Sequence, residues 1–408
     1  MNWDLLRVIA ILAVVVGHIT YRGPANQPEL AGYPFAFTPW FGASTLMVVS
    51  GYFVCVTISR GHAGRWLGNR LARLLPAYIV AVLITYTVSR FAVLAFNGWD
   101  TEPGLLGTLF GDPILPPHPE PDAPPPWQLP TPADLVANLT VTQEWSDDVV
   151  FVDNSYWTLP VQVVAFVSAA LLWRHKFGAD RGRVLSRVLL LGPIVVLPLT
   201  LLPGEITDVL GAIYGGLGVG RAYLFGVGIA LWLWARRELS HAELGLLATT
   251  AVVLHGASSE HPVPSAAGFA IMLGLIAAAA RGPDWDVRVL CVLRRPVAWL
   301  AGISFGVYLV HQQLGFVLAR VLAEHGVSGW PRLMLVFAAA ILAGWAMTVL
   351  VERPAHRLLT RRRAVTPAAE RLAPAAPDVL ARRSVGAGQA RRLSSEPRVG
   401  TETVGGRT

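Results

Sequence analysis

Apolar runs of about membrane-spanning length dominate the chain, and short polar segments separate them. A helix needs about 20 largely apolar residues to cross the hydrocarbon core of a bilayer. The pattern predicts an all-α fold, a polytopic transmembrane helical bundle of about ten spans. The seventh and eighth runs are shorter and carry polar residues, so that pair is either two spans or none, and the orientation of the others is the same in both cases. The ten runs are residues 5–21, 40–58, 75–96, 157–173, 188–202, 219–235, 243–258, 265–280, 297–318 and 333–351.

Basic residues cluster in every second loop between these runs, and this bias predicts the orientation. The alternate loops hold only Arg22, Arg320 and Arg332, and residues 98–156 contain no lysine or arginine. The positive-inside rule therefore places both termini in the cytoplasm and the 98–156 loop outside. The clustered residues are Arg60, Arg65, Arg70, Arg73, Arg174, Lys176, Arg181, Arg183, Arg187, Arg236, Arg237, Arg281, Arg288, Arg294 and Arg295.

Two segments are not predicted to cross the membrane. The proline-rich stretch at 111–135 is predicted to lack regular helix or sheet, and the outer loop 98–156 is either an acceptor platform or a solvated connector. Its tryptophans, Trp99, Trp127 and Trp145, either stack on a sugar or anchor the chain at the interface. We divide the chain into a transmembrane domain at 1–360 and a disordered, basic cytoplasmic tail at 361–408.

Composition supports this class of protein. The 408 residues are 53% hydrophobic and 14% charged, whereas soluble domains carry about 25% charged residues. The net charge of +7 is explained by the loop arginines, so we expect no nucleic-acid partner. Two cysteines without metal-ligand spacing predict no metal site. Abundant alanine, arginine and glycine with a single lysine indicate a bacterial protein, which we place in the cytoplasmic membrane.

Two polar residues stand out in the first apolar run. Arg7 and His18 lie eleven positions apart, which on an α-helix places them within about 20° of one face and about 16 Å apart along the axis. Ionisable side chains inside a membrane face the bundle interior or a wet cavity and mark candidate functional sites. The alternatives are a topology charge for Arg7 and an interhelical hydrogen bond for His18.

The arginine, ten residues and then histidine of the first run resemble the signature of the acyltransferase-3 family of integral membrane O-acyltransferases. The resemblance covers roughly residues 3–360. Two departures are Gln162, where family members usually have Glu, and Met-Val-Val in place of Phe-Phe before a Ser-Gly pair. Six further segments resemble family motifs in order: "TLMVVSGYFVCVTISR", "RLARLLPAYIV", "SYWTLPVQVVAF", "GRAYLFGVGIAL", "ISFGVYLVHQQL" and "VERPAHRLL".

The resemblance implies transfer of an acyl group, acetyl by default, from cytoplasmic acyl-CoA to a hydroxyl, often on a sugar. Acyl-CoA is then a co-substrate, and no bound cofactor is expected. A hydroxyl needs a base to become nucleophilic, and neutral imidazole can take its proton. We therefore assign His18 as general base and Arg7 as a contact for the donor.

Further donor contacts are predicted at the inner face. Arg70 and Arg73 match the phosphates of CoA, or they serve only the charge bias of the inner loops. Ser50 and Gly51 line the donor channel, or they are small residues for helix packing. Glu352 is expected to form an anchoring ion pair with Arg353.

The acceptor is predicted to be a carbohydrate, a glycolipid or a glycosylated metabolite. Trp157 at the start of span four, Arg221 at the outer start of span six, and Tyr308 with His311 on one face of span nine are candidate acceptor contacts. Interfacial anchoring, headgroup contact and interhelical hydrogen bonding are the respective alternatives. A transporter or flippase-like protein and a catalytically inactive scaffold are the competing functions.

Overall fold

The computed structural model of the 408-residue chain describes residues 1–60, 62–116, 125–173, 179–196, 198, 205–285 and 288–360. Over these residues the fold is all-helical, as the apolar pattern predicts, and the only strand-like feature is an isolated bridge between Asp100 and Ile114. The predicted tail at 361–408 lies outside the described residues. Fifteen α-helices are described. They are α1 Asn2–Gly17, α2 Gly23–Asn26, α3 Gly42–Ile58, α4 Ala63–Asn97, α5 Leu105–Phe110, α6 Pro132–Leu139, α7 Thr158–Trp173, α8 Ala179–Val196, α9 Glu205–Gly216, α10 Ala222–Ala235, α11 His241–Ala257, α12 Pro262–Arg281, α13 Arg288–Val310, α14 Gln313–Glu324 and α15 Gly329–Met347.

Five helical segments in the described part of the chain are long and apolar enough to cross a membrane. Two bent helix pairs raise this number to seven if each pair is one span, and α3 is apolar but shorter, at 17 residues. A described helix overlaps each of the ten predicted runs, but the count of ten and the cytoplasmic termini remain predictions. The five segments are Asn2–Asn26, Ala63–Asn97, Asn154–Leu172, Pro262–Arg281 and Gly329–Thr360.

The predicted ninth span is not one straight helix. Val292–Val310 and Gln313–Glu324 are bent by 73° at a break that contains His311 and Gln312. The prediction of one run at 297–318 followed hydropathy, which is continuous across the break and does not report backbone direction. The break exposes backbone groups that need partners, and the N–H of Gln313 donates to Asp153 Oδ2 at 2.9 Å.

Short helices also form in the outer loop. The proline-rich stretch was expected to lack helix, yet α6 begins at Pro132, where proline is compatible with the first helical turn. Thr131 and Asp134 form a capping box at that end: each side chain accepts the backbone N–H of the other residue. Arg90 of α4 is buried and donates to the carbonyl oxygens of Thr108 and Gly111, which fixes this loop to the bundle.

Helix α1 lies between the two main apolar cores of the described residues. One core collects side chains of α4 and α13 to α15 with Ile11 and Val15, and the other collects side chains of α3 and α10 to α12 with Leu6. Glycine at position 42 allows α3 to approach α1 closely, since a Cβ there would lie 2.4 Å from the Ala10 carbonyl oxygen. The Arg7 and His18 helix is therefore at the centre of the bundle, between its two halves.

Candidate active site

An inner cavity of about 160 Å³ opens beside the N-terminal part of α1. Arg7 lines it together with Arg70 and Arg73 from α4 and Ser50 from α3. Four of the residues predicted to meet the acyl donor are thus brought into one cavity. Gln162, which departs from the family pattern, also lines it and leaves the wall on that side uncharged.

Two arginines of this cavity, Arg70 and Arg73, are held in different ways. Arg70 donates to the Thr57 hydroxyl at 2.9 Å and packs over the rings of Trp66 and Phe166. The Nε of Arg73 lies 3.1 Å from Glu352 Oε1. Glu352 was expected to pair with Arg353, and this expectation is wrong. Glu352 is buried at the end of a π-helical turn, Thr348–Glu352, and its ion pair is with Arg73 of α4.

An outer cavity of about 280 Å³ opens beyond the C-terminal end of α1. His18 lines it with Trp40, and so do Trp157 and Arg221, two of the residues predicted to contact the acceptor. A π-helical turn begins at His18 and runs to Arg22. Such turns change the direction of side chains within a helix and are frequent at functional sites.

His18 and His311 form a close pair. The Nδ1 of His18 lies 2.8 Å from the Nε2 of His311, and the two rings stack within 10° of parallel. The Nδ1 of His311 lies 2.8 Å from the carbonyl oxygen of Tyr308. A carbonyl only accepts, so Nδ1 of His311 carries a hydrogen, and in a neutral pair its Nε2 accepts from His18. The lone pair of His18 is then on Nε2.

Asp153 belongs to the same buried region, although the sequence did not mark it. It is 1% exposed and accepts backbone N–H groups of Ser155 and Gln313 through separate oxygens. The bond from Gln313 fixes the segment before α7 to the break before α14, and His311 lies in that break. A single acidic residue in a loop that has many carries no distinguishing local pattern, so sequence reasoning had no signal for it.

Tyr308 lies where the two cavities meet. Both cavities are lined by Tyr308 and by Ala43, so the inner and outer cavities adjoin at these two residues. The Tyr308 hydroxyl donates to the carbonyl oxygen of Ser155 at 2.6 Å and accepts from the Thr158 hydroxyl at 3.0 Å. Two hydrogen bonds therefore hold the Tyr308 side chain in a defined position at the junction.

The outer cavity has a charged rim. Arg221 packs over the ring of Trp157, with 4.9 Å from its central carbon to the ring centroid. Arg22 forms an ion pair with Glu260 across the mouth. Burial raises the pKa of the nearby Glu144 carboxyl, and the positive Arg221 opposes that rise.

One of the predicted donor contacts, Gly51, does not line the inner cavity. A Cβ at Gly51 would lie 3.1 Å from the Cα of Phe225, so this glycine serves the packing of α3 against α10. It lines a separate apolar cavity of about 330 Å³ instead. Of the two interpretations given for Gly51, helix packing fits this position, because Ser50 and Gly51 are adjacent in sequence and adjacent residues on a helix point about 100° apart.

His255 is a second residue that sequence reasoning missed. It is buried, lines the outer cavity, and has the Tyr223 hydroxyl 3.3 Å from its Nδ1. The available signal was the same one that marked His18, an ionisable residue inside an apolar run. Gln312 and Asn154 line the cavity too, and neither has a sequence pattern that distinguishes it from the other amide side chains of this protein.

Comparison with known proteins gives a clear family assignment. A family model described as an acyltransferase domain matches residues 2–349, which include both cavities and the histidine pair. No curated protein and no solved structure matches the chain. Because the match covers most of the chain, and because apolar helices build the described fold, the chain belongs to the acyltransferase-3 family of membrane acyltransferases.

Proposed function

We propose that this protein is a membrane O-acyltransferase that moves an acyl group, acetyl in the simplest case, from acyl-CoA to a hydroxyl of a carbohydrate or glycosylated acceptor. One observation carries the proposal: an arginine-lined cavity and a histidine-lined cavity adjoin at Ala43 and Tyr308. A donor from one side and an acceptor from the other can therefore meet beside His18.

The inner cavity suits the donor. Arg7, Arg70 and Arg73 line it, and guanidinium groups match phosphate oxygens in both charge and geometry. The phosphates of CoA bind these arginines, and the thioester extends toward Tyr308. Ser50 provides a hydroxyl along that path. The positive-inside bias of the sequence places this cavity on the cytoplasmic side, where acyl-CoA is found.

The outer cavity suits a hydroxylated acceptor. Trp157 offers an aromatic surface, and Gln312 and Asn154 offer amide donors and acceptors. Arg221 lies over the Trp157 ring and supplies positive charge for an anionic substituent. The acceptor hydroxyl approaches Nε2 of His18 from this side.

The transfer needs one base. Nε2 of His18 takes the proton of the acceptor hydroxyl as its oxygen attacks the thioester carbonyl carbon. The carbon–sulfur bond then breaks, CoA leaves as a thiolate, and the proton on His18 passes to that sulfur. The products are the acyl ester and free CoA. His311 holds Nδ1 of His18 in its hydrogen bond and so keeps Nε2 available.

The test is acetyl transfer in purified membranes supplied with radiolabelled acetyl-CoA and a panel of soluble and lipid-linked glycans. We expect label in an acceptor, and at least about a hundredfold lower rate after His18→Ala, because general-base catalysis contributes about that much or more. His325→Ala is the matched control, since this exposed histidine bonds only to its own helix at the Val321 carbonyl oxygen.

Three outcomes would contradict the proposal or the role of His18 in it. Uptake or release of an acceptor across the membrane without covalent labelling indicates a transporter. No labelling and no transport, with a folded protein that retains a partner protein in pull-down, indicates a scaffold. Equal rates for His18→Ala and His325→Ala would remove His18 from the chemistry.

A further inference from the structure

Another cavity opens next to the outer cavity and is not used by the mechanism above. It is called the second cavity because it is the neighbour of the outer cavity, and it is distinct from the inner cavity and from the apolar cavity at Gly51. Its volume is about 270 Å³, near the lower limit of about 300 Å³ typical of small-molecule sites. Asn154 lines both cavities, and Gln312 of the outer cavity is followed in the chain by Gln313 of this one. A ligand bound in this cavity therefore lies beside the acceptor position.

The lining of the second cavity has no charged side chain among the described residues. It combines amides with aromatic surface, in contrast to the arginine and glutamate at the rim of the outer cavity. Amides provide both donors and acceptors, and aromatic faces stack on the apolar faces of sugars. The polar lining includes Asn26, Gln27, Gln128 and Gln313, and the aromatic lining includes Trp127 and Phe316.

Two polar atoms in the lining have no hydrogen-bond partner among the residues that the structure describes. The Ser89 hydroxyl is in a side chain only 1% exposed, and the Gln27 Oε1 is also buried. A buried polar atom without a hydrogen bond destabilises the fold, and a partner supplied by a ligand removes that cost. Hydroxyl groups are chemically suited to both atoms, because a hydroxyl can donate to Gln27 Oε1 and can either donate to or accept from the Ser89 hydroxyl.

The aromatic wall is held in place before any ligand binds. The Asn97 side chain donates to the Trp127 carbonyl oxygen and accepts its backbone N–H, both at 2.8 Å. The indole Nε1 donates to Glu29 Oε1 at 2.7 Å, and Arg90 donates to the carbonyl oxygen of Pro130. Because these residues are already ordered, a ligand that binds against them pays a smaller cost in conformational entropy.

From these observations we infer that the second cavity, lined by Ser89, Gln27 and Trp127, is a subsite for an uncharged glycosyl unit adjoining the sugar that is acylated. The inference rests on the proposed function and deepens it: the acceptor is an oligosaccharide or glycan chain with at least one neutral residue. A single sugar fills only the outer cavity.

Binding is tested first, apart from catalysis. Tryptophan fluorescence of the full-length His18→Ala protein in detergent is titrated with glucose, maltose and maltotriose, and with N-acetylglucosamine and its di- and trisaccharides. In at least one series we expect the disaccharide to bind about tenfold or more tightly than the monosaccharide. Ser89→Ala and Gln27→Leu should each remove most of that gain.

The control is Ser186→Ala, a buried helical serine that bonds only within its own helix, to the Arg183 carbonyl oxygen. This variant should retain the gain. If no disaccharide binds more tightly than its monosaccharide, or if Ser89→Ala and Ser186→Ala lose the gain equally, the inference is overturned.

Transfer kinetics then separate the two proposals. With the protein carrying His18, Ser89→Ala should lower kcat/KM for the preferred oligosaccharide about fivefold or more and leave kcat/KM for the monosaccharide unchanged. A drop of equal size for both acceptors overturns the subsite and leaves the acyltransferase proposal in place. Oligosaccharide binding that depends on Ser89, without any acyl transfer by the protein carrying His18, contradicts the acyltransferase proposal instead.

Discussion

His18 and His311 are 293 positions apart in the chain, yet Nδ1 of the first lies 2.8 Å from Nε2 of the second. The pair depends on the break between α13 and α14, since His311 lies in that break and donates to the carbonyl oxygen of Tyr308. This relationship holds Nδ1 of His18 in a hydrogen bond and leaves its Nε2 for the base role that we propose.

The histidine pair predicts non-additive losses. We expect His18→Ala to lower kcat about a hundredfold or more, and His311→Ala to lower it about tenfold or more with little change in KM, because His311 acts through His18. The double variant should be no slower than His18→Ala alone, since residues that act as a unit do not add. The measurement is steady-state transfer by all three variants; a double variant slower by the product of the two single losses would show that the histidines act independently.

The arginines that line the inner cavity predict that their loss weakens the use of donors that carry phosphates. Arg70→Ala should raise the KM for acetyl-CoA about tenfold, because the variant loses one charge-assisted hydrogen bond to a phosphate of CoA. The KM for S-acetyl-N-acetylcysteamine, a thioester without phosphates, should not change. Arg65→Ala is the control, because Arg65 is exposed on the same helix and does not line the cavity. Equal effects on both thioesters would remove phosphate recognition from Arg70.

The close approach of α3 to α1 predicts sensitivity at Gly42. A Cβ there would lie 2.4 Å from the Ala10 carbonyl oxygen and 2.6 Å from Val14 Cγ2, and overpacking of this kind costs about 1–3 kcal/mol. Gly42→Ala should therefore lower the midpoint of thermal unfolding in detergent and reduce transfer. Gly64→Ala is the matched change, since nothing lies within 4 Å of a Cβ at Gly64. It should leave stability equal or raise it by about 0.4–1 kcal/mol. Equal midpoints for the two variants would mean that α1 and α3 can move apart without loss of stability, and would contradict this prediction.

The charge bias predicts which end of the bundle faces the cytoplasm. Single cysteines are introduced at Ser146 and at His62, both exposed, in a protein whose Cys55 and Cys291 are replaced by serine. An impermeant maleimide should label Ser146→Cys in intact cells and His62→Cys only in inverted vesicles. His62 lies in an arginine-rich loop, which the positive-inside rule predicts to be cytoplasmic, and Ser146 lies in the 98–156 loop, which has no lysine or arginine. The reverse labelling pattern would place the inner cavity on the side away from cytoplasmic acyl-CoA, and it would contradict the proposal that this cavity binds the donor.

The sequence by itself determined the helical class, the approximate positions of the helices, and the two polar residues of the first helix. Hydropathy and the 3.6-residue turn are local properties, so they can be read from neighbouring positions alone. The same periodicity placed Arg7 and His18 on one face, and the fold sets them at two cavities that adjoin. Family motifs in order were enough to indicate an acyltransferase.

Only the tertiary structure decided which side chains meet. Nothing near His18 in the sequence indicates His311, and nothing near Arg73 indicates Glu352, which lies 279 positions away. The roles of Asp153, Gly51 and Ser89 likewise depend on which helix packs against them. Hydropathy places a residue within the bundle, but packing between distant helices decides its neighbours, and that packing depends on close contacts such as the one at Gly42.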